Sequence, residues 1–143
     1  MSTTGLAIFD TTLQKTHSWL TAIMAELGWE DDRQRAYLAL RTVLHLLRDH
    51  LTVEEAVDFG AQLPMLIRGF YYDGWTLTGK PVKERRKDEL LAHVTQAFHH
   101  DERINAEQVV EAVFRVLSQR VTAGEISDVK HMLPAALREL WPV

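Results

Sequence analysis

The chain says nearly the same thing twice, and any fold must accommodate both statements. Sliding the sequence by 70 positions aligns residues 20–71 with residues 90–141 without a gap. The identical pairs are Leu20/Leu90, Ala22/Ala92, Asp31/Asp101, Arg33/Arg103, Ala36/Ala106, Val43/Val113, Leu47/Leu117, Thr52/Thr122, Glu55/Glu125, Asp58/Asp128, Leu63/Leu133, Pro64/Pro134 and Arg68/Arg138, thirteen in 52 positions. Their placing carries the weight: apolar positions at helical spacing, a Thr-x-x-Glu capping signature, and a Leu-Pro that restarts a helix. A tandem duplication of one helical unit is the expectation.

Within each copy the apolar residues fall at a period of 3.6 rather than 2. Phe9, Leu13, Leu20, Ile23, Met24 and Leu27 form the stripe of a first helix that Gly28 ends. A second, from about Asp31, carries Tyr37, Leu40, Val43, Leu44 and Leu47 inward. Thr52 and Glu55 should cap a short third helix reciprocally, and Pro64 suits the first turn of a fourth from about Leu63. The stretch TLTGKPVKERRK then interrupts the pattern, which resumes with a helix from about Val82 that buries Leu90, Leu91, Val94, Ala97 and Phe98. Asn105 with Gln108, Thr122 with Glu125, and Pro134 mark the next three starts, and Asp31 and Asp101 should serve the starts of the second and sixth helices.

The prediction is therefore an all-α fold of about eight helices: two tandem four-helix repeats, at about 6–76 and 82–143, joined by a short basic linker at about 77–82. Copies of roughly 60 to 70 residues are marginal as independent cores. They should share one core through a pseudo-twofold seam, giving a single domain over 1–143.

Composition removes whole classes of chemistry. There is no cysteine, so disulfides, thiolate zinc sites and thiol nucleophiles are out. No apolar run approaches the roughly 20 residues of a membrane span, and the amino terminus lacks a signal-peptide pattern, which points to the cytoplasm. The net charge is -4. A nucleic-acid partner is not expected, because the basic run of Lys80, Lys83, Arg85, Arg86 and Lys87 is diluted by Glu84, Asp88 and Glu89. TLTGKP lacks the preceding glycine and the strand of a phosphate loop, and neither a nucleophile elbow nor a dinucleotide fingerprint is present.

The segments FDTTLQKTHSWL and RAYLALRTVLHLLRDHLTVEEAVDFGAQLPMLIRGFYYDGW, followed by GEISDVKHMLPAALRELW, resemble the bacterial family known as domain of unknown function 2267. The resemblance runs over nearly the whole chain. It implies a small helical cytoplasmic protein with the doubled unit, and it brings no activity, cofactor or catalytic residues with it.

Three constellations are candidates for function. Phe70, Tyr71, Tyr72 and Trp75 fall within six residues, more aromatic surface than one helix can bury on one side, and such groups anchor interfaces when exposed. They either close the seam, as Trp141 would in the second copy, or meet a partner. His93, His99, His100 and Asp101 gather near the end of the fifth helix, where they either cap carbonyls or form a weak metal site. Asp58 with Arg68, and Asp128 with Arg138, flank Pro64 and Pro134 and should pair across the junction between the last two helices of each copy.

No complete catalytic set emerges. The expected function is a non-enzymatic helical interaction or regulatory module without cofactor, binding a protein partner or a second copy of itself. The alternative is a small-ligand or metal-binding helical protein that uses the seam between repeats or the His93, His99 and His100 cluster.

Overall fold

Two long helices in the first half and two in the second lie against one another, and four short helices close the ends. In the computed structural model, which describes residues 3–142, eight helices and no strand are present among the described residues. They are α1 (Ala7–Leu27), α2 (Arg33–His50), α3 (Val53–Gly60), α4 (Met65–Tyr72), α5 (Lys87–Ala97), α6 (Ala106–Arg120), α7 (Ala123–Met132) and α8 (Ala135–Arg138). The fold is all-α, as the apolar spacing requires.

Helices pack across the halves as well as within them. Helix α1 packs on α6 as well as α2, and α2 packs on α5 and α6, while α3 meets α7. Pairs such as α1 with α6 and α5 with α2 occupy corresponding places in the 70-residue register. One buried apolar cluster follows, running from Trp19 and Ile23 through Leu40, Leu44 and Leu47 to Val110, Phe114, Leu117 and Leu137. Burying a leucine-sized side chain contributes roughly 1.5–3 kcal/mol, so a core of this extent ties both halves into the same packing.

The helix starts come from local chemistry. Thr52 accepts from the Glu55 N–H at 3.2 Å and Thr122 from the Glu125 N–H at 3.3 Å, and Asn105 accepts from Gln108 at 3.1 Å. Each satisfies one donor that a helix beginning leaves free. Gly28 ends α1 with φ +67°, a left-handed conformation that costs other residues more.

Several expectations need correction. Helix α5 begins at Lys87, not Val82: residues 82–86 run extended, held where the Val82 N–H donates to the Asp49 carbonyl at 2.8 Å. Pro64 is the N-cap of α4, with ψ 153°, rather than a residue inside its first turn. Asp32, not Asp31, caps α2 by accepting from the Arg35 N–H at 3.1 Å, because Asp31 itself turns to φ +50°. Asp101 likewise leaves the cap of α6 to Asn105 and takes the Arg35 guanidinium at 2.7 Å. Phe9 does not join the core stripe; it stays 46% exposed, as do its neighbours Leu6 and Ile8 at 52% and 61%.

The junction residues act differently from the pairing expected. Arg68 donates to the carbonyls of Gly60 (3.0 Å) and Leu63 (2.8 Å) instead of meeting Asp58. Arg138 does the same at the positions 70 further on, to Lys130 and Leu133, both at 2.9 Å. A guanidinium suits carbonyls at a helix carboxyl end, where free acceptors and the helix dipole both favour a cation. The angle across each Leu-Pro is thus fixed by arginine and backbone.

Candidate functional site

The chain between α4 and α5 passes over the end of α2 and brings three polar side chains together. His50 is the last residue of α2, Glu84 lies in the extended segment, and His93 is in α5. The His50 side chain is 2% exposed, and its Nδ1 stands 2.7 Å from the Leu46 carbonyl. A carbonyl only accepts, so Nδ1 carries the hydrogen and Nε2 presents a lone pair when the ring is neutral. That lone pair points at Glu84 Oε1, 2.9 Å away, and His93 Nε2 reaches the same oxygen at 2.7 Å.

Two acceptors cannot face each other at that distance without a positive charge between them. Either a proton or a metal cation supplies it. Burial by itself would raise the Glu84 pKa, but the hydrogen bonds from His93 and His50 outweigh it and hold the carboxyl below its ordinary value. The three ligand atoms lie within 4.8 Å of one another. Zinc holds nitrogen and oxygen ligands at about 2.0–2.2 Å, so ligand atoms would move apart by roughly half an ångström to admit it. His93, half exposed, and Glu84, on an extended segment, are the two that can give way.

Two clefts flank the trio. One, of about 430 Å³, is lined by Arg41, His45, Asp49, His50, Lys80 and His93 among others. The other, of about 490 Å³, lies beyond the extended segment against Lys83, Glu84, Arg85, His131 and Arg138. Helix α2 is stiffened beside them: His45 Nε2 bonds the Phe70 carbonyl at 2.7 Å, and buried Arg48 donates to the Tyr71 and Asp73 carbonyls at 2.9 and 3.0 Å. Burial lowers the His45 pKa despite that carbonyl contact.

A second polar group sits where α3 meets α7. Glu55, Glu125 and Asp128 each bring a carboxylate oxygen within 4.8 Å of the others. Glu55 is 9% exposed, and neither its Oε1 nor that of Glu125 has a hydrogen-bond partner. The reciprocal half of each capping box is therefore not formed: the glutamates turn to one another instead of back to Thr52 and Thr122. Burial, then the hydrogen bond that a protonated Glu125 makes with Glu55, then the charges of Glu55, Asp128 and Asp58 push the Glu125 pKa up to about 8.

The residues expected from sequence are placed as follows. Tyr71 is fully buried, with its ring against Phe59 and its hydroxyl donating to Ala56 O at 2.6 Å, and burial holds its pKa far above that of a free phenol. Tyr72 lies stacked on Trp75, with ring centroids 5.6 Å apart, and Phe70 packs edge-on to Tyr37; all three are half-buried. His93 meets His50 and Glu84 and belongs to no common ligand group with His99, His100 and Asp101 among the described residues. His99 and His100 lie with tilted rings 3.8 Å apart at an exposed turn, with His99 Nδ1 on the Gln96 carbonyl.

Sequence reasoning missed His50 and Glu84. His50 had no ligand-like spacing to another histidine on its own helix, and Glu84 read only as dilution of a basic run. A signal was present in the repeat itself: 70 positions away, His93 corresponds to the core residue Ile23 and His50 to Arg120.

The model of a family described as an uncharacterized conserved protein (DUF2267) matches residues 16–140. The chain belongs to the DUF2267 family. The match spans both polar groups. No curated protein matches the chain at a significant level, and among the described residues no helix is long and apolar enough to cross a membrane.

Proposed function

We propose that this DUF2267 protein binds a divalent transition-metal ion between His50, Glu84 and His93, with water or a small ligand from the adjoining clefts completing the coordination. The supporting observation is the fixed tautomer of His50: its Nδ1–H is committed to Leu46 O, and its Nε2 is aimed at the carboxylate that His93 also touches. Metal-bound histidines characteristically donate their second ring nitrogen to a backbone carbonyl or carboxylate, which fixes the ring for its ligand. Two imidazoles and one carboxylate suit Zn²⁺, Co²⁺ and their neighbours better than Mg²⁺ or Ca²⁺. The partner-surface reading of Phe70, Tyr71, Tyr72 and Trp75 loses support because Tyr71 is core and the others are half covered. The role is one of binding, held by a non-enzymatic scaffold.

Co²⁺ titration of chelator-treated protein tests this, since tetrahedral cobalt gives visible d–d bands that an adventitious surface ion does not. One equivalent should produce the bands. His93→Gln, a half-exposed change that spares folding, and Glu84→Gln should each remove them with the helical signal intact. Bands that persist in both variants, or their absence in the parent protein, would sink the proposal.

A further inference from the structure

The group between α3 and α7 gathers carboxylates with no basic side chain to balance them. Glu55 and Asp58 are three apart on α3, Glu125 and Asp128 three apart on α7, so each pair shares a helix face. All four recur at the same places in the two copies. Where α3 packs on α7, the faces meet, and Asp58 also lies within electrostatic reach of Glu125. Among the described residues, none of the four carboxylates has a Lys, Arg or His within ion-pair distance, whereas nine other acidic residues do.

Glu55 makes the imbalance acute. It is 9% exposed, its Oε1 is buried with no hydrogen-bond donor, and its carboxylate brings an oxygen within 4.8 Å of those of Glu125 and Asp128. An uncompensated buried carboxylate is costly, and such groups are ordinarily paired or bound to a cation. Asp128, by contrast, is exposed, so the group has both a dry floor and a wet mouth. That combination suits a hard cation, which takes carboxylate oxygens and keeps some of its water. Oxygens within 4.8 Å of one another fit a sphere of radius about 2.0–2.6 Å.

We propose that Glu55, Glu125 and Asp128 form a site for a hard divalent cation, of the Mg²⁺, Mn²⁺ or Ca²⁺ class, that clasps α3 to α7. The ion supplies the missing counter-charge where buried Glu55 of the first half meets Glu125 and Asp128 of the second. Its chemistry is all oxygen, distinct from the imidazole site under the extended segment.

Mn²⁺ binding to chelator-treated full-length protein, followed by electron paramagnetic resonance at pH 7.5, tests it. The free Mn²⁺ signal should fall by one equivalent per chain, and Mg²⁺ or Ca²⁺ should restore it by competition. Glu125→Gln and Asp128→Asn, which preserve shape, should weaken binding by about tenfold or more, while His93→Gln leaves it unchanged. Mn²⁺ uptake that survives Glu125→Gln overturns the proposal, as does an absence of uptake in the parent protein. Uptake lost with His93→Gln would instead assign the ion to the histidine site and equally overturn it. Failure here leaves the cobalt experiment intact, because the two sites share no residue.

Discussion

The end of α2 and the end of α6 occupy corresponding places, and they have been put to different uses. Arg120 closes α6 and crosses to α1, where it donates to Ser18 Oγ at 2.9 Å and lies over the Trp19 ring. His50 closes α2 and crosses to the segment before α5, where it meets Glu84. The positions that correspond to Glu84 and His93 are Gln14 and Ile23, and Ile23 is fully buried. One seam is thus an ordinary packing contact, and the other gathers two imidazoles and a carboxylate. The difference teaches that the histidine cluster is not required by the helix packing, since the corresponding helix end 70 residues away packs without one.

The same comparison can be broken most forcefully in the core. Tyr71 and Trp141 correspond, Tyr71 packed on Phe59 and hydrogen-bonded to Ala56 O, Trp141 stacked on Phe114 at 3.9 Å with Nε1 donating to Ser118 Oγ at 2.5 Å. Truncating a buried aromatic costs about 3–5 kcal/mol. Tyr71→Ala and Trp141→Ala should both fall in that range by urea denaturation. A cost below about 1 kcal/mol for either would mean that its half does not depend on the shared core.

Next comes a place where the halves differ in bulk. A Cβ at Gly60 would run into the Tyr72 hydroxyl and crowd the Tyr71 ring, so α4 can lie close to α3 only because this residue is glycine. The corresponding residue is Lys130, whose partner helix α8 ends before any counterpart of Tyr72 can pack there. Gly60→Ala should destabilise by about 1–3 kcal/mol through overpacking, while Lys130→Ala stays within about 0.5 kcal/mol. Equal effects in thermal melts would erase the asymmetry.

Acid chemistry sharpens the comparison where the halves touch. The folded pKa of Glu125, about 8, lies above its ordinary value of 4.5, so the folded state favours the protonated form. The stabilisation is complete below pH 4.5, declines as pH rises, and is gone above about 8. In chelator, the melting temperature of the parent protein should fall across that window relative to Glu125→Gln, with Glu55, Asp58 and Asp128 facing the group in both. Parallel curves for the two proteins would show that α3 and α7 do not press their acids together in solution.

How much of this was legible beforehand follows from which forces act locally. Thr52, Asn105 and Thr122 cap helices where expected because a cap depends on four residues. The stripes of α2 and α6 hold because burial on a helix follows a fixed period. Val82 failed as a helix start because a distant carbonyl, that of Asp49, takes its N–H and draws the segment out straight. Arg68 and Arg138 recurred visibly, yet their targets are backbone carbonyls, which no side-chain pattern reveals. Both polar groups join residues from separate helices, and Glu84 owes its place to a segment with no periodicity at all.

The smallest expected effect is the most pointed. His50→Arg makes the end of α2 resemble the end of α6, and Arg120→His does the reverse. Arg120 is exposed and its bond to Ser18 is a surface contact, so Arg120→His should change stability by less than about 1 kcal/mol. It should also create no cobalt site, since a histidine there would lie beside Ser18 and Trp19, which offer no imidazole or carboxylate ligand. His50→Arg, in contrast, should abolish the cobalt bands, because a guanidinium beside Glu84 supplies a permanent positive charge and no lone pair. If the Arg120→His protein gained cobalt bands, ligands from elsewhere would be reaching that seam, and the one-sided reading of the site would have to be abandoned. If His50→Arg kept them, His93 and Glu84 would be binding without α2, and the hydrogen bond from His50 to Leu46 would lose its meaning for the metal.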